Sequence, residues 1–335
     1  MKTVINLNDF GFSSLVNGGF VRRASSAILT TSIAAVILPL AANAQSFSYS
    51  SFSSAALAAN PLQINADAAA PVTGAEGTPV LRLTPAQEDQ AGSAFSLNTI
   101  QLGGNASFST AFAFQMTDGG GIPDGTGNTP GADGIVFVLN TVANNVGGLG
   151  QGVGYQGIAN SVGIKFDTWM DAAGSFPQDS DPNGNFVAVY TDGSTETAGY
   201  TPYSPGDLSA NQYYTPSTIM KNGDIWYAWI DYNGTTDELD VRLSDGVDVR
   251  PANPDLSETI DLNASSILGS SPDVYAGFTS GTGGAYDNND VLNWQFNDTY
   301  EPIGVPDGGP GAVLEAATLC GVCVLSARIF RRRIA

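Results

Sequence analysis

The chain has 335 residues and a formal net charge of −20, with 32 acidic side chains against 12 basic ones. Residues 45–304 hold 29 of the acidic but 5 of the basic side chains, which excludes nucleic acid as a partner because binding it requires clustered cations. Histidine is absent, so imidazole catalysis and most zinc sites are excluded as well. The 40 Gly and 18 Pro separate short apolar runs, a pattern typical of all-β proteins.

Residues 1–44 are predicted to be a long signal peptide. Arg22 and Arg23 close a basic region, residues 27–40 are apolar, and Ala42-Asn43-Ala44 forms an A-x-A cleavage site before Gln45. The paired arginines fit a twin-arginine signal poorly, so we expect export by the general secretory route. The folded domain is therefore expected to begin near residue 45 and to continue to about residue 300.

Residues 147–185 are the most informative stretch of this domain. A glycine-rich loop leads into a predicted strand, residues 161–168, along which successive side chains alternate between two faces. Val162, Ile164 and Phe166 point one way, and Gly163, Lys165 and Asp167 the other. Oxygen-bearing side chains then recur at Asp167, Asp171, Asp179, Asp181, Asn183 and Asn185. Such a run fits a Ca²⁺ site, and it fits an Asx-rich surface turn equally well.

Residues 301–335 form a tripartite tail. The sequence VPDGG at 305–309 precedes an apolar stretch, residues 312–330, and then three arginines at 331–333. This tail resembles the PEP-CTERM class of bacterial sorting signals, in its VPDSG variant, which implies processing by an exosortase. A plain membrane anchor is the alternative, and the arginines would remain cytoplasmic in either case. We interpret Cys320 and Cys323 as membrane-segment residues rather than a redox or zinc pair.

Five segments in order resemble the legume-type (L-type) lectins, particularly their bacterial relatives. They are LRLTPAQEDQAGSAF (81–95), ADGIVFVLN (132–140), IANSVGIKFDTWMD with DPNGNFVAVYTDG (158–193), GDIWYAWIDYNGTTDELDVRLS (223–244) and VYAGFTSGTGGAYDNNDVLNWQF (274–296). The resemblance implies a concanavalin A-like jelly-roll β-sandwich of two antiparallel sheets over residues 45–300.

The resemblance also implies a metal site. By position, calcium would be held by Asp167, the backbone carbonyl of Trp169, Asp171 and Asp181. The family's transition metal is not expected, because Lys165 and Phe186 stand where its glutamate and histidine ligands would be. We therefore expect Ca²⁺ without Mn²⁺. We also expect Lys165 to act as a fixed counterion for the acidic cluster, with a solvent-facing strand lysine as the alternative.

The sugar-binding residues implied by the resemblance are Asp133, Gly147 or Gly148, Asp171, and Gly283 with Gly284. Asp133 would accept hydrogen bonds from sugar hydroxyls, and glycine amides would donate to them; the alternative is that Asp133 only forms an Asx turn that starts the strand. Trp169, Tyr155 and Tyr286 are candidates for the aromatic that stacks on the sugar, whereas Trp226, Trp229 and Trp294 are assigned to packing.

The resemblance implies a calcium-dependent carbohydrate-binding protein at the bacterial cell surface or in the extracellular matrix. Its expected partners are glycans or exopolysaccharide, and it could form oligomers. A glycoside hydrolase is one alternative, but it needs two carboxylates roughly 5–9 Å apart, and the usual ExDxxE-like strand signature is absent from the sequence. A structural or adhesive matrix protein with a decayed sugar pocket is the other.

Overall fold

The protein was described from a computed structural model. The structure describes residues 45–102, 104–123, 129–141, 145, 147–171, 181–193, 213–264, 267–269 and 273–304. The predicted signal peptide and the sorting motif with its apolar and basic continuation lie outside these residues. Within the described ranges, no helix is long and apolar enough to cross a membrane.

Two antiparallel sheets of eight strands each make up the described domain. The back sheet has the order β14 (Leu256–Thr259), β13 (Glu238–Asp245), β12 (Ile225–Asn233), β7 (Phe108–Gly121), β16 (Ala285–Asn297), β4 (Pro79–Thr84) and β3 (Ala69–Thr73), and β1 (Phe47–Tyr49) also pairs with β16. The front sheet has the order β11 (Tyr213–Tyr214), β10 (Phe186–Thr191), β9 (Ser161–Asp167), β8 (Gly134–Asn140), β15 (Asp273–Gly281), β5 (Ala91–Ser96) and β2 (Leu62–Ala66), and β6 (Ile100–Gln101) also pairs with β15. This architecture confirms the predicted all-β, two-sheet sandwich.

One short helix, α1 (Ser54–Ala59), lies between β1 and β2. The side chain of Ser53 caps it by accepting a hydrogen bond from the amide of Ala56 at 3.3 Å. None of its residues is fully buried, but Ala56 and Leu57 pack against the main core.

The main core fills the space between the two sheets. Alternate residues of each strand enter it, as the period of two requires; on β9 these are Val162, Ile164 and Phe166. Aromatic rings from both sheets meet there, including Phe112 of the back sheet and Phe278 of the front sheet at 4.9 Å. The predicted alternation along β9 is therefore confirmed.

A second, smaller apolar cluster covers the outer face of the front sheet. Val153, Tyr155 and Ile158 of the glycine-rich segment pack there against Val136 and Phe186 of the strands. This cover explains how Lys165 is buried although it points away from the main core.

Candidate functional site

Asp133 lies at the end of the front sheet, immediately before β8. Its amide donates to the carbonyl of Gly281 on one side, and its own carbonyl accepts from the amide of Thr168 on the other. Gly134 follows with a φ of +121°, and a Cβ there would lie 2.1 Å from the carbonyl oxygen of Phe166. The Asp-Gly pair therefore inserts Asp133 between two loops at a point where only glycine can follow.

The carboxylate of Asp133 is buried, and its Oδ2 atom has no hydrogen-bond partner among the described residues. Burial raises the pKa of this carboxyl well above its ordinary value, and the charge of Asp171 raises it further. A Cβ on Gly283 would come within 3.9 Å of Oδ2, so the bare backbone of the last loop flanks the acceptor. An unsatisfied buried carboxylate oxygen is costly, which makes this atom a candidate ligand-binding group.

The amides of the predicted glycines are already engaged. Gly147 donates to the carbonyl of Gly154, Gly148 to that of Gln156, and Gly283 to that of Ala285. Among the four glycines only Gly284 makes no such internal bond within the described part of the chain. The expected donation from Gly147, Gly148 and Gly283 to a sugar would therefore require those bonds to break.

Gly150, which the sequence did not single out, is the member of the glycine-rich segment that reaches this site. Its amide donates to the carbonyl of Thr282 at 3.1 Å. With φ at +60° it occupies the left-handed region that glycine favours, and its Cα lies against Gly283. The glycine-rich segment is thus joined to the last loop through Gly150.

Lys165 forms a buried ion pair with Oδ2 of Asp167. Both side chains are 1% exposed, and the ammonium lies 5.8 Å from the ring of Phe186 and 5.6 Å from that of Tyr190. Neither Lys165 nor Phe186 offers a metal ligand, so these residues do not fit a transition metal in the space between them. The other carboxylate oxygen of Asp167 accepts from the amide of Trp169 at 2.8 Å.

Asp171 and Asp181 hold each other across the loop. The amide of Asp171 donates to Oδ2 of Asp181 at 2.9 Å, and the amide of Asp181 donates to the carbonyl of Asp171 at 3.2 Å. Oδ2 of Asp171 and Oδ1 of Asp181 are buried without a hydrogen-bond partner in the described structure. Burial raises the pKa of Asp171 to about 6, while the charge of Lys165 opposes the shift.

The side chains at this loop offer oxygen atoms, which are the ligands that a hard cation prefers. Two orphaned carboxylate oxygens, on Asp171 and Asp181, lie beside Asp167, and oxygen atoms are the ligands that Ca²⁺ takes. Across the described ranges, however, no three acidic or cysteine side chains lie close enough to form a metal cluster as they stand. A bound ion would therefore have to draw the carboxylates together.

The asparagines that follow Asp181 hold turns and loops in place rather than contributing to the acidic cluster. Asn185 bonds the carbonyls of Pro216 and Thr218 and accepts from the amide of Met220, so it fixes a neighbouring loop. Asn183 caps its own turn by accepting from the amide of Asn185, while Asp179 lies outside the described residues.

The comparisons decide the family. A family model for the legume lectin β-barrel domain matches residues 54–294. The chain belongs to the legume (L-type) lectin family. Receptor kinase VIII.1 of Arabidopsis thaliana, which contains an L-type lectin domain, is 27% identical over 61% of this chain and 25% of its own length. The bark lectin of Styphnolobium japonicum is 29% identical over 58% of this chain and 63% of its own.

Solved lectins show the same fold. Peanut lectin superposes with a TM-score of 0.55 at 20% identity, covering 76% of this chain and 97% of its own. Winged bean acidic lectin, solved with methyl-α-D-galactose, gives a TM-score of 0.54 at 21% identity over 76% of this chain and 98% of its own. The chain spans about a quarter of the length of receptor kinase VIII.1 and about a third of that of receptor kinase IV.1 of Arabidopsis thaliana.

Two charged residues near the lectin loops were missed by the sequence analysis. Lys221 donates to the carbonyl of Gly131 at 3.0 Å and lies 5.7 Å from the ring of Trp169. Asp287 is buried beside Gly131, and burial raises its pKa while Lys221 lowers it. Nothing in the local sequence around Lys221 or Asp287 indicates a functional role, because only the tertiary fold brings these two residues together.

Tyr155 cannot stack on a sugar, because it is fully buried and its hydroxyl pairs with the hydroxyl of Ser161. Trp169 and Tyr286 remain partly exposed. Around the same loops Ile122, Leu149 and Met170 are exposed, and Ile122 packs beside Gly284. This apolar rim is an alternative surface for the C–H face of a sugar.

Proposed function

We propose that the lectin domain binds a neutral sugar at Asp133 and that this binding depends on calcium. The observation that carries the proposal is the buried Oδ2 atom of Asp133, which lacks a partner among the described residues and faces the backbone of Gly283. Two sugar hydroxyls would satisfy the carboxylate, and the apolar rim would cover the C–H face of the ring. Winged bean acidic lectin was solved with a neutral galactoside, which supports this ligand class.

Calcium would act on the loop rather than on the sugar. Asp167, the carbonyl of Trp169, Asp171 and Asp181 would hold it, and the orphaned oxygens of Asp171 and Asp181 support this assignment. Without an ion, the charges of Asp171 and Asp181 disfavour the ionised form of Asp133. A bound ion would neutralise these two carboxylates and so remove the repulsion. We expect Ca²⁺ rather than Mn²⁺, because Lys165 and Phe186 supply no ligand.

Export to the cell surface belongs to the same proposal. The apolar leader with its A-x-A site and the VPDGG tail with its terminal arginines support it. An exosortase would process the tail and leave the domain in contact with extracellular glycans.

The test is a glycan array probed with the full-length protein in Ca²⁺ and in chelator. Asp133→Asn keeps the shape of the side chain but removes its charge, and hydrogen bonds to a charged group contribute about 1.5–3 kcal/mol each. We therefore expect binding of the best glycan to fall at least about tenfold.

Asp273→Asn is the matched control, because Asp273 is exposed and begins β15, the strand that ends at Gly281 beside Asp133. Its binding should equal that of the wild type. Full binding by Asp133→Asn in Ca²⁺ would show that the sugar site lies elsewhere. If the binding that Asp133→Asn removes were equally strong in chelator, the site would not depend on calcium.

A further inference from the structure

A groove crosses the outer face of the back sheet, away from the loops that carry Asp133. It encloses about 650 Å³, within the range of about 300–1,000 Å³ that is usual for ligand sites. Its floor comes from β1, β7, β12 and β16, and its sides come from residues 248–250 and from Ile303 with Gly304.

The strand register explains why a groove forms here. Ala111 of β7 pairs with Trp229 of β12 on one side and with Gln295 of β16 on the other. Ala113, two residues further along, lies in the same way between Tyr227 and Asn293. Because alanine ends at Cβ, β7 forms a low floor between a ridge of aromatic rings and a ridge of amides.

The aromatic ridge is preformed. The rings of Tyr227 and Trp229 lie 6.3 Å apart with 23° between their planes. Trp229 was assigned to packing, and it is buried, but outside the main core and beside Gly304. Tyr227 stays partly exposed and offers a flat apolar face with a polar tip.

The opposite ridge supplies hydrogen-bonding groups. The side-chain oxygen of Asn293 accepts from the amide of Ala113 at 3.1 Å, which fixes this amide group against the floor. Gln295 and Ser48 continue the ridge and are exposed. Amides and a hydroxyl beside an aromatic face match a ring that has one C–H face and hydroxyls at its edge.

The charges of the groove favour a neutral ligand. Arg250 forms an ion pair with Asp231, so its charge is matched within the protein. Asp248 is exposed on the same side, and together with the net charge of −20 it disfavours a polyanion.

We propose that this groove binds a second, neutral oligosaccharide, with one sugar ring on Tyr227 and its hydroxyls bonded by Asn293, Gln295 and Ser48. The site is independent of Asp133 and of calcium. Because it lies on the sheet opposite the Asp133 site, one chain could hold two glycan strands and link them, and multivalent contacts of this kind multiply avidity.

The test is calorimetric titration of the purified full-length protein with cellohexaose, laminarihexaose, xylohexaose and mannohexaose, each in chelator. We expect saturable binding of at least one of them. Tyr227→Ala should weaken it at least tenfold, whereas Tyr227→Phe, which keeps the ring, should stay within threefold of the wild type. Ala111→Leu should also weaken binding by filling the floor. Circular dichroism checks that each variant is folded.

Asp133→Asn separates this proposal from the front site, since it should leave binding in chelator unchanged. The proposal is overturned if no hexasaccharide binds, if Tyr227→Ala binds as well as the wild type, or if Asp133→Asn alone abolishes binding. It is also overturned if sedimentation shows a dimer that Tyr227→Ala dissociates, because a second copy would then occupy the groove.

Discussion

Two charge clusters of the lectin domain, one buried and one partly buried, differ in their numbers of cations and anions. The back cluster comprises Arg242, Arg250, Asp231 and Asp240, in which Arg242 pairs with both aspartates and Arg250 with Asp231. The front cluster comprises Lys165 with the carboxylates of Asp133, Asp167, Asp171 and Asp181, and its ion pair joins Lys165 to Asp167. The back cluster has equal numbers of cations and anions, whereas the front cluster has one cation for four carboxylates.

This imbalance has a physical consequence. Buried carboxylates that lack a counter-charge hold their protons more tightly, and burial raises the pKa of all four front aspartates. The back cluster needs no further ligand to be neutral, so its role is structural. The front cluster can remain ionised at neutral pH only at a cost in stability, which a bound cation would remove.

The largest expected effect comes from removing the single front cation. Lys165→Met leaves Asp167 buried and unpaired, and the free energy of unfolding in chelator should fall by about 3–5 kcal/mol. Arg242→Met is the matched control in the back cluster, where Arg250 still pairs with Asp231, so its loss should be smaller. Denaturant titration measures both values.

The double variant Lys165→Met with Asp167→Asn should recover part of the loss, since it removes the orphaned charge. If Lys165→Met and Arg242→Met lowered the free energy of unfolding equally, the difference in charge balance between the two clusters would have no effect on stability.

The next effect is the response to calcium. An ion that binds only the folded state stabilises it by about 2.7 kcal/mol at a hundredfold excess over its dissociation constant. Asp181→Asn should lose most of this gain, because it removes a charge and one of the orphaned oxygens. Asp240→Asn of the back cluster should keep the gain. Thermal unfolding in chelator and in Ca²⁺ measures the difference, and an unchanged wild-type melting temperature would contradict calcium binding.

The smallest effect is the pH dependence in chelator. The pKa of Asp171 in the folded protein is about 6, above its value of about 3.9 when unfolded. The folded state therefore binds the proton more tightly, and stability rises as pH falls from 7 towards 5. Asp171 should contribute on the order of 1 kcal/mol over this interval.

Asp171→Asn should flatten this part of the profile. A wild-type stability that fell between pH 7 and 5 in chelator would reverse the expected sign and show that Asp171 is ionised without penalty.

Much of the fold follows from local sequence pattern. The alternation of Val162, Ile164 and Phe166 predicted which face of β9 enters the main core. This feature depends on neighbours along the chain, so it is visible without a structure. The same holds for Asp171 and Asp181, which the sequence grouped and the structure joins by two hydrogen bonds.

Other features arise from contacts between distant segments. Gly147 and Gly148 were predicted to donate to a sugar, but their amides donate to carbonyls within the glycine-rich segment. The amide that reaches the last loop is that of Gly150. Tyr155 was a candidate to stack on sugar, yet it is buried against the outer face of the front sheet, where its hydroxyl pairs with that of Ser161. Which of several glycines or aromatics faces a ligand depends on loop geometry, and composition does not encode that geometry.

The sequence by itself determined the all-β class, the acidic surface and the oxygen-rich loop after β9, because each depends on residue type and spacing. Tertiary structure alone decided that Asp133 joins the acidic cluster around Lys165 and that Lys221 lies near Asp287 beside Gly131. It also decided that two alanines of β7 lie between aromatic and amide ridges. The reason is that electrostatic balance and groove shape depend on distances between strands, which are set only when the two sheets pair and pack.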